Sequence, residues 1–376
     1  MFVNVAKPQC IIFRVDAGAD IGLGHLMRCL SLAQGLVTRG VRVFFAVGRN
    51  SVAHCQSRSD WVGEIHLVVS TSLYDEYQEL QQLCVKEKAD WLILDGYQFD
   101  FNYRKSLNLN ACKLAMLDDG QLIKAHIEDS QLAMIVNWAS GAEALTYRKL
   151  APNAQCCIGA SYRVLRQEFY QVKTLPFDKR NRLIITFGGS DPSQLTLPLL
   201  KHFDDSFIRL PITIITGSGY QHLDALSDLI KQSPLSIEHF HDCQHVASVF
   251  QQARLVVSAA GASQFELLHC AAPSILVVTE DNQLFASEQA SKQGWCFVSV
   301  KRAIQAQAHH ELDTKVKEQL LAQIVQKTIA LWHQPEQLRN MHGNAILARQ
   351  QNGFDNIYAG LYPELVNQPG QVTHDE

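Results

Sequence analysis

Short apolar, β-branched runs alternate along the chain with longer amphipathic stretches, and that alternation predicts a repeating βα pattern. Ile11 to Val15 (IIFRV) has the length and composition of a strand. The stretch LMRCLSLAQGLVTRG that follows places Leu26, Leu30, Ala33 and Val37 at helical spacing and stops at Gly40, a residue suited to a helix C-terminus. VRVFFAV, EIHLVV, WLILD (Trp91 to Asp95) and KLAMLDD read as further strands, with YDEYQELQQLCVKEK as a helix between two of them. After Phe177 the pattern starts afresh. RLIITFGGS, ITIITGSG, RLVVSAAG and PSILVVTE are strand candidates ending in glycine or small polar residues. LTLPLLKHF, HVASVFQQA, SQFELLHCA and QLFASEQASKQG read as the helices between them.

Two Rossmann-like α/β domains with parallel sheets are therefore expected, over residues 1–171 and 182–350, joined by the polar, proline-containing segment 172–181. Beyond about residue 310 the chain reads as helical, and 366–376 as a disordered tail. A chain of 376 residues is long for one core and comfortable for two, and 47% apolar residues suffice to fill them.

Charge narrows the function classes. The net charge is −4 and the Lys and Arg residues are scattered, so the chain lacks the basic stripe of a nucleic-acid binder. No apolar run approaches the roughly 20 residues of a membrane span. The start MFVNVAKPQC lacks the pattern of a secretory signal, which makes a cytoplasmic protein the expectation. The ten cysteines include no C-x-x-C pair and sit in apolar segments, as reduced, buried thiols would. No ligand spacing for zinc and no acidic cluster for magnesium is present, so no metal and no cofactor is expected.

In doubly wound sheets ligands bind beyond the carboxyl ends of the strands, and four motifs fall there. In DAGADIGLGHLMRC, Asp16 to Cys29, Gly22 and Gly24 permit a tight turn and a close backbone approach to a ligand. His25 then opens a helix whose positive end favours a neutral imidazole, the form a general base requires; the alternative is a helix-capping histidine. In SAAGASQFELL, the loop Gly261, Ala262 and Ser263 suits a diphosphate, and Glu266 suits the vicinal hydroxyls of a ribose or, alternatively, the helix dipole. In TFGGSDPSQ, Gly188, Gly189 and Ser190 are either phosphate contacts or structural punctuation, with Ser190 or Asp191 capping the next helix. In TEDNQ, Asn282 and Gln283 suit sugar hydroxyls or a leaving-group oxygen, or are simply loop residues. LDGYQF ends a strand at Asp95 with Tyr97 just beyond, and Arg163 and Arg166 lie near the end of the first half, available to phosphate or to a nearby acid such as Glu168.

Taken in order, F-R-V-D-A-G, I-G-L-G-H-L-M-R-C-L-S-L-A, I-T-F-G-G-S-D-P, A-A-G-A-S-Q-F-E and D-N-Q resemble the UDP-2,4-diacetamido-2,4,6-trideoxy-β-L-altropyranose hydrolases of pseudaminic acid biosynthesis. The chain is similar more distantly to GT-B glycosyltransferases that make peptidoglycan lipid intermediates. The resemblance spans roughly residues 11–295 and is most specific at R-x-D followed by G-x-G-H-x-x-R. It implies two Rossmann-like domains facing across a cleft, with His25 as catalytic base, Tyr97 and Asn282 at the reacting centre, and Glu266 on the ribose. Sugar or phosphate contacts are further expected at Asp16, Gly22, Gly24, Arg28 and Gln283. The implied reaction is metal-independent hydrolysis of a UDP-activated amino sugar, with inversion and C–O cleavage, and a monomer is expected. A glycosyltransferase on the same architecture, or a silent sugar-nucleotide binder, are the alternatives. The chain departs from the family's pattern at Asp95-Gly96-Tyr97, where a histidine is usual in the middle, and at Ala160, where a proline is usual.

Overall fold

Strand β1 (Cys10–Val15) sends Ile11, Phe13 and Val15 into one apolar cluster and Cys10 and Ile12 into another, and all five are fully buried. A strand buried on both faces calls for helices on both, the setting of a parallel sheet. The computed structural model has two such sheets; it describes residues 9–18, 21–70, 72–109, 112–125, 127–144, 146–206, 208–300 and 314–366. The expected disorder of 366–376 falls, apart from Val366, outside the described residues.

The first sheet adds β2 (Arg42–Val47), β3 (Glu64–Leu67), β4 (Trp91–Asp95), β5 (Lys113–Leu117), β6 (Leu132–Asn137) and β7 (Gln155–Ile158), in the spatial order β3-β2-β1-β4-β5-β6-β7. The second comprises β8 (Arg182–Thr186), β9 (Pro211–Thr216), β10 (Ser236–His241), β11 (Ala253–Ala259), β12 (Ser274–Val278) and β13 (Cys296–Val300), in the order β10-β9-β8-β11-β12-β13. All pairings within these sheets are parallel. The expected pair of Rossmann-like sheets is what the chain forms.

Each sheet reverses its direction of winding once, between β1 and β4 and between β8 and β11. Neighbouring connections leave such a point in opposite directions and open a crevice there. Register decides what lines it: Val15 lies opposite Asp95, and Thr186 opposite Ser258. The loops carrying His25, Tyr97, Gly188–Ser190 and Gly261–Ser263 therefore all start at the two switch points.

Four strands escape the sequence reading. β7, β10 and β13 lie at sheet edges and pair on one side only; β10 reads SIEHFH with no buried position, whereas β7 (QCCI) and β13 (CFVSV) are short apolar runs. β6 is apolar, but only the short helix Gln121–Ala125 separates it from β5, so no βα rhythm marks it. The helix Gly24–Thr38 buries Leu26, Leu30 and Ala33 as its spacing predicts, but Leu36 completes the stripe and Val37 stands 39% exposed. All ten cysteines are free. Among the described residues no helix is long and apolar enough to cross a membrane.

The C-terminal helices divide between the sheets. Thr314–Trp332 and Pro335–Ala348 supply Leu321, Ile324 and Leu338 to the second sheet's core. The helix Phe354–Leu361 returns to the first sheet, where Phe354, Ile357, Tyr358 and Leu361 join Phe13 and Met134. Gly353 makes that return possible. Its N–H donates to the Arg163 carbonyl at 2.7 Å, and a Cβ there would stand 2.4 Å from the Tyr162 carbonyl carbon. Gly353→Ala should lower stability by about 1–3 kcal/mol, the usual cost of overpacking. Thermal unfolding beside Gly343→Ala, whose added methyl would meet nothing within 4 Å, checks this. Equal midpoints for the two variants would contradict it.

Candidate active site in the interdomain cleft

His25 is the second residue of the helix Gly24–Thr38, and the β1 turn aims it at the end of β4. Its Nδ1 lies 2.7 Å from Asp95 Oδ1, and Asp95 is fully buried. Arg28, one turn further along the same helix, donates from Nε to Asp95 Oδ2 at 2.8 Å and from Nη2 to Oδ1. Burial alone would raise the Asp95 carboxyl, but the Arg28 guanidinium and His25 hold it below its ordinary value. A carboxylate on Nδ1 fixes the N–H at that nitrogen and leaves the lone pair on Nε2, the requirement for a base. Arg28, expected on sugar or phosphate, thus directs its fork at Asp95. Asp95 itself was legible only as the end of a strand. The usable signal was an acid directly after the buried run WLIL at a switch point.

Tyr97 meets the His25 ring edge-on, with centroids 4.8 Å apart. The ring is half exposed, but its hydroxyl donates to Asp119 Oδ2 at 2.8 Å. Asn282, at the start of the helix Asp281–Lys292, reaches across from the other half: its Nδ2 donates to Asp119 Oδ2 at 2.9 Å and contacts the Tyr97 hydroxyl. The structure thus unites Tyr97 and Asn282 with His25, through an aspartate that the sequence reading did not single out. Gly96, where a histidine is usual in the family, has φ +150°, and a Cβ there would lie 2.5 Å from Gln98 Oε1. Gln98 in turn donates to Asp16 Oδ2 at 3.1 Å. The loop has adopted a glycine conformation with glutamine in the vacated space.

Asp16 spends its carboxylate locally, on Arg14 at 2.7 Å, the Gly48 amide at 2.7 Å and Gln98; burial would raise it, and Arg14 and these hydrogen bonds bring it below its ordinary value. Gly22 and Gly24 stay in the cleft loop. A Cβ on Gly22 would sit 3.9 Å from Ser190 Oγ, and one on Gly24 would meet nothing within 4 Å. Across the cleft, Gly189 packs under Leu23 so closely that an added Cβ would stand 2.5 Å from its side chain. Ser190 is buried, and its Oγ has no hydrogen-bond partner among the described residues. Asp191, not Ser190, caps the helix Thr196–Asp205, accepting from the Leu195 and Thr196 amides at 3.0 and 2.8 Å. Gly188 has φ +80° and forms the turn itself. Ala262 is the N-cap of the helix Ser263–His269, in which the Gln264 and Phe265 amides donate to the Gly261 and Ala262 carbonyls at 3.1 Å. Gln283 Oε1 accepts from the Thr279 amide at 3.0 Å, while its Nε2 lies 3.9 Å from where a Gly261 Cβ would be.

Residues 183–344 match the glycosyltransferase family 28 C-terminal domain. The chain is 26% identical over 287 residues to the UDP-2,4-diacetamido-2,4,6-trideoxy-β-L-altropyranose hydrolase of Campylobacter jejuni, an alignment that covers 76% of this chain and 97% of the relative. The chain resembles this hydrolase over three quarters of its length. It is also 26% identical over 281 residues to an uncharacterized protein of Methanocaldococcus jannaschii; 72% of this chain aligns with 55% of that one, so the chain spans about half its length. Among solved structures, MurG of Acinetobacter baumannii superposes with a TM-score of 0.59 at 14% identity, covering 95% of this chain and all of that one. That likeness establishes the GT-B fold.

In this chain Glu266 is not a free surface acid. Arg166 Nη2 donates to its Oε1 at 3.3 Å, while Arg166 Nη1 lies 2.6 Å from Glu168 and 3.6 Å from Asp60. Arg166 thus ties together three acids from both halves, including the local partner Glu168 that its sequence position suggested. Arg163 instead reaches the Trp138 carbonyl and Ser140, and stacks 4.4 Å over Phe265.

Proposed function

We propose that the chain hydrolyses a UDP-linked 2,4-diacetamido-2,4,6-trideoxy sugar to free sugar and UDP, with inversion at C1, as a step of nonulosonic acid biosynthesis. The observation that carries this reading is the buried Asp95 carboxylate on Nδ1 of His25, an arrangement that prepares Nε2 to take a proton. A water oxygen attacks C1 from the side opposite the nucleotide, and its proton passes to His25 Nε2. The C1–O bond breaks, and the electron pair leaves with the β-phosphate of UDP. Ser190 and the amides from Gly261 to Ser263 stabilise the departing diphosphate, an electrostatic contribution of about 3 kcal/mol per well-placed donor. Glu266 holds the ribose through the carboxylate oxygen that Arg166 leaves free, which fixes distance and angle for in-line attack. The half spanning 1–171 recognises the sugar and the half spanning 182–350 the nucleotide.

Transfer of the sugar to an acceptor hydroxyl is the second reading, favoured by the glycosyltransferase match over 183–344. Incubation with the UDP-sugar in ¹⁸O-labelled water separates the two. Hydrolysis releases UDP without any acceptor and places the label on the sugar carbon. Label in the phosphate, or release of UDP only when an acceptor is added, would overturn the hydrolase reading.

A further inference from the structure

Asp119, just beyond β5, accepts two hydrogen bonds on the single oxygen Oδ2, from the Tyr97 hydroxyl and from Asn282 Nδ2. A carboxylate can only accept, so it dictates which way round the Asn282 amide sits. The other end of that amide, Oδ1, is buried and has no donor among the described residues. A buried carbonyl oxygen left without a donor is costly and uncommon in a folded protein, and calls for an explanation. Its position supplies one. Asn282 touches Tyr97, whose ring abuts His25, so the unmade bond lies within one aromatic ring of the proposed base.

We propose that Asp119 is a specificity-setting positioning residue, which locks the Asn282 amide so that its Oδ1 accepts from an N–H or O–H donor on the sugar. This rests on the UDP-sugar reading above and adds which sugar chemistry is recognised. Phosphate oxygens of a bound nucleotide are acceptors and cannot satisfy Oδ1, so Asn282 does not read the diphosphate. A 2,4-diacetamido-2,4,6-trideoxy sugar offers three such donors, two acetamido N–H groups and the 3-hydroxyl. Burial and the Asp119 carboxylate push the Tyr97 phenol above its ordinary value, so it stays protonated and keeps donating at neutral pH.

Four substrates test this: the UDP-2,4-diacetamido-2,4,6-trideoxy sugar, its 2-acetoxy and 4-acetoxy analogues, in which ester oxygen replaces one N–H, and its 3-deoxy analogue. The wild type should lose at least about tenfold in kcat/KM on one of the three analogues, because its acceptor is then left unpaired. Asp119→Asn frees the amide to turn and should shrink that discrimination to within about twofold. Combining Asp119→Asn with Asn282→Asp rebuilds the same bond in reverse and again leaves an acceptor oxygen for the sugar, so discrimination should return. An Asp119 that only supports the fold would slow all four substrates alike and leave their ratios unchanged. Wild-type indifference to every analogue, or full discrimination in Asp119→Asn, overturns the proposal and leaves the hydrolase reading standing. If the wild type neither binds nor cleaves any of the four, both readings fall.

Discussion

His25→Ala should slow UDP release by about 10²–10⁴-fold, the range for loss of a general base, and Asp95→Asn should fall in the same range. The reasons differ. Alanine removes the base, whereas asparagine leaves His25 in place but no longer requires its N–H at Nδ1, so part of the population presents a proton and not a lone pair at Nε2. Because the two side chains act as one device, the double variant should be little slower than the worse single one. Asp95 is also the partner of Arg28, so the unfolding free energy of each variant belongs beside its rate. Stability changes alone would lower the amount of active enzyme without altering kcat per folded molecule. Single-turnover rates in excess enzyme, with UDP affinity measured separately, decide the matter. An Asp95→Asn enzyme within about threefold of wild type would remove the oriented-base argument.

Arg166→Met should destabilise the fold by about 3 kcal/mol, because it strands acids that the guanidinium now holds together. Asp60 keeps Arg58 at 2.6 Å, so Glu168 and Glu266 are left exposed to one another. The cost should depend on pH. Burial holds the Glu168 carboxyl above its ordinary value even with Arg166 present, and removing Arg166 takes away the strongest opposing influence. A carboxyl whose folded value is raised costs nothing while protonated, and destabilises as pH rises through its folded value. The variant's deficit should therefore be larger at pH 8 than at pH 5. Urea unfolding at the two pH values measures it. The same deficit at both, or less than about 1 kcal/mol at pH 8, would show that the cluster is solvated rather than held by Arg166.

The sequence carried most of the fold and half of the site, and the division has a physical cause. Strands buried on both faces, such as IIFRV and WLILD, must be apolar at nearly every position, and glycine must end a strand where a tight turn follows. These demands are local, so two Rossmann-like sheets, the G-x-G-H turn and the A-A-G-A-S loop were legible in one dimension. Edge strands such as SIEHFH face weaker demands and left no mark. Local pairs such as Arg166 with Glu168 were legible, but the distant partner that each polar side chain takes was not. Asp95, Asp119 and Arg166 are separated from their partners by 67 positions in the case of Arg28 and Asp95, 163 for Asp119 and Asn282, and 100 for Arg166 and Glu266. Only the order of strands in the sheets and the closure of one half on the other bring those groups within reach. The sequence by itself determined which residues end up at the carboxyl ends of the strands. The tertiary structure decided that Asp95 orients His25 and that Asp119 orients Asn282, because a hydrogen bond depends on distances of about 3 Å that no local pattern encodes.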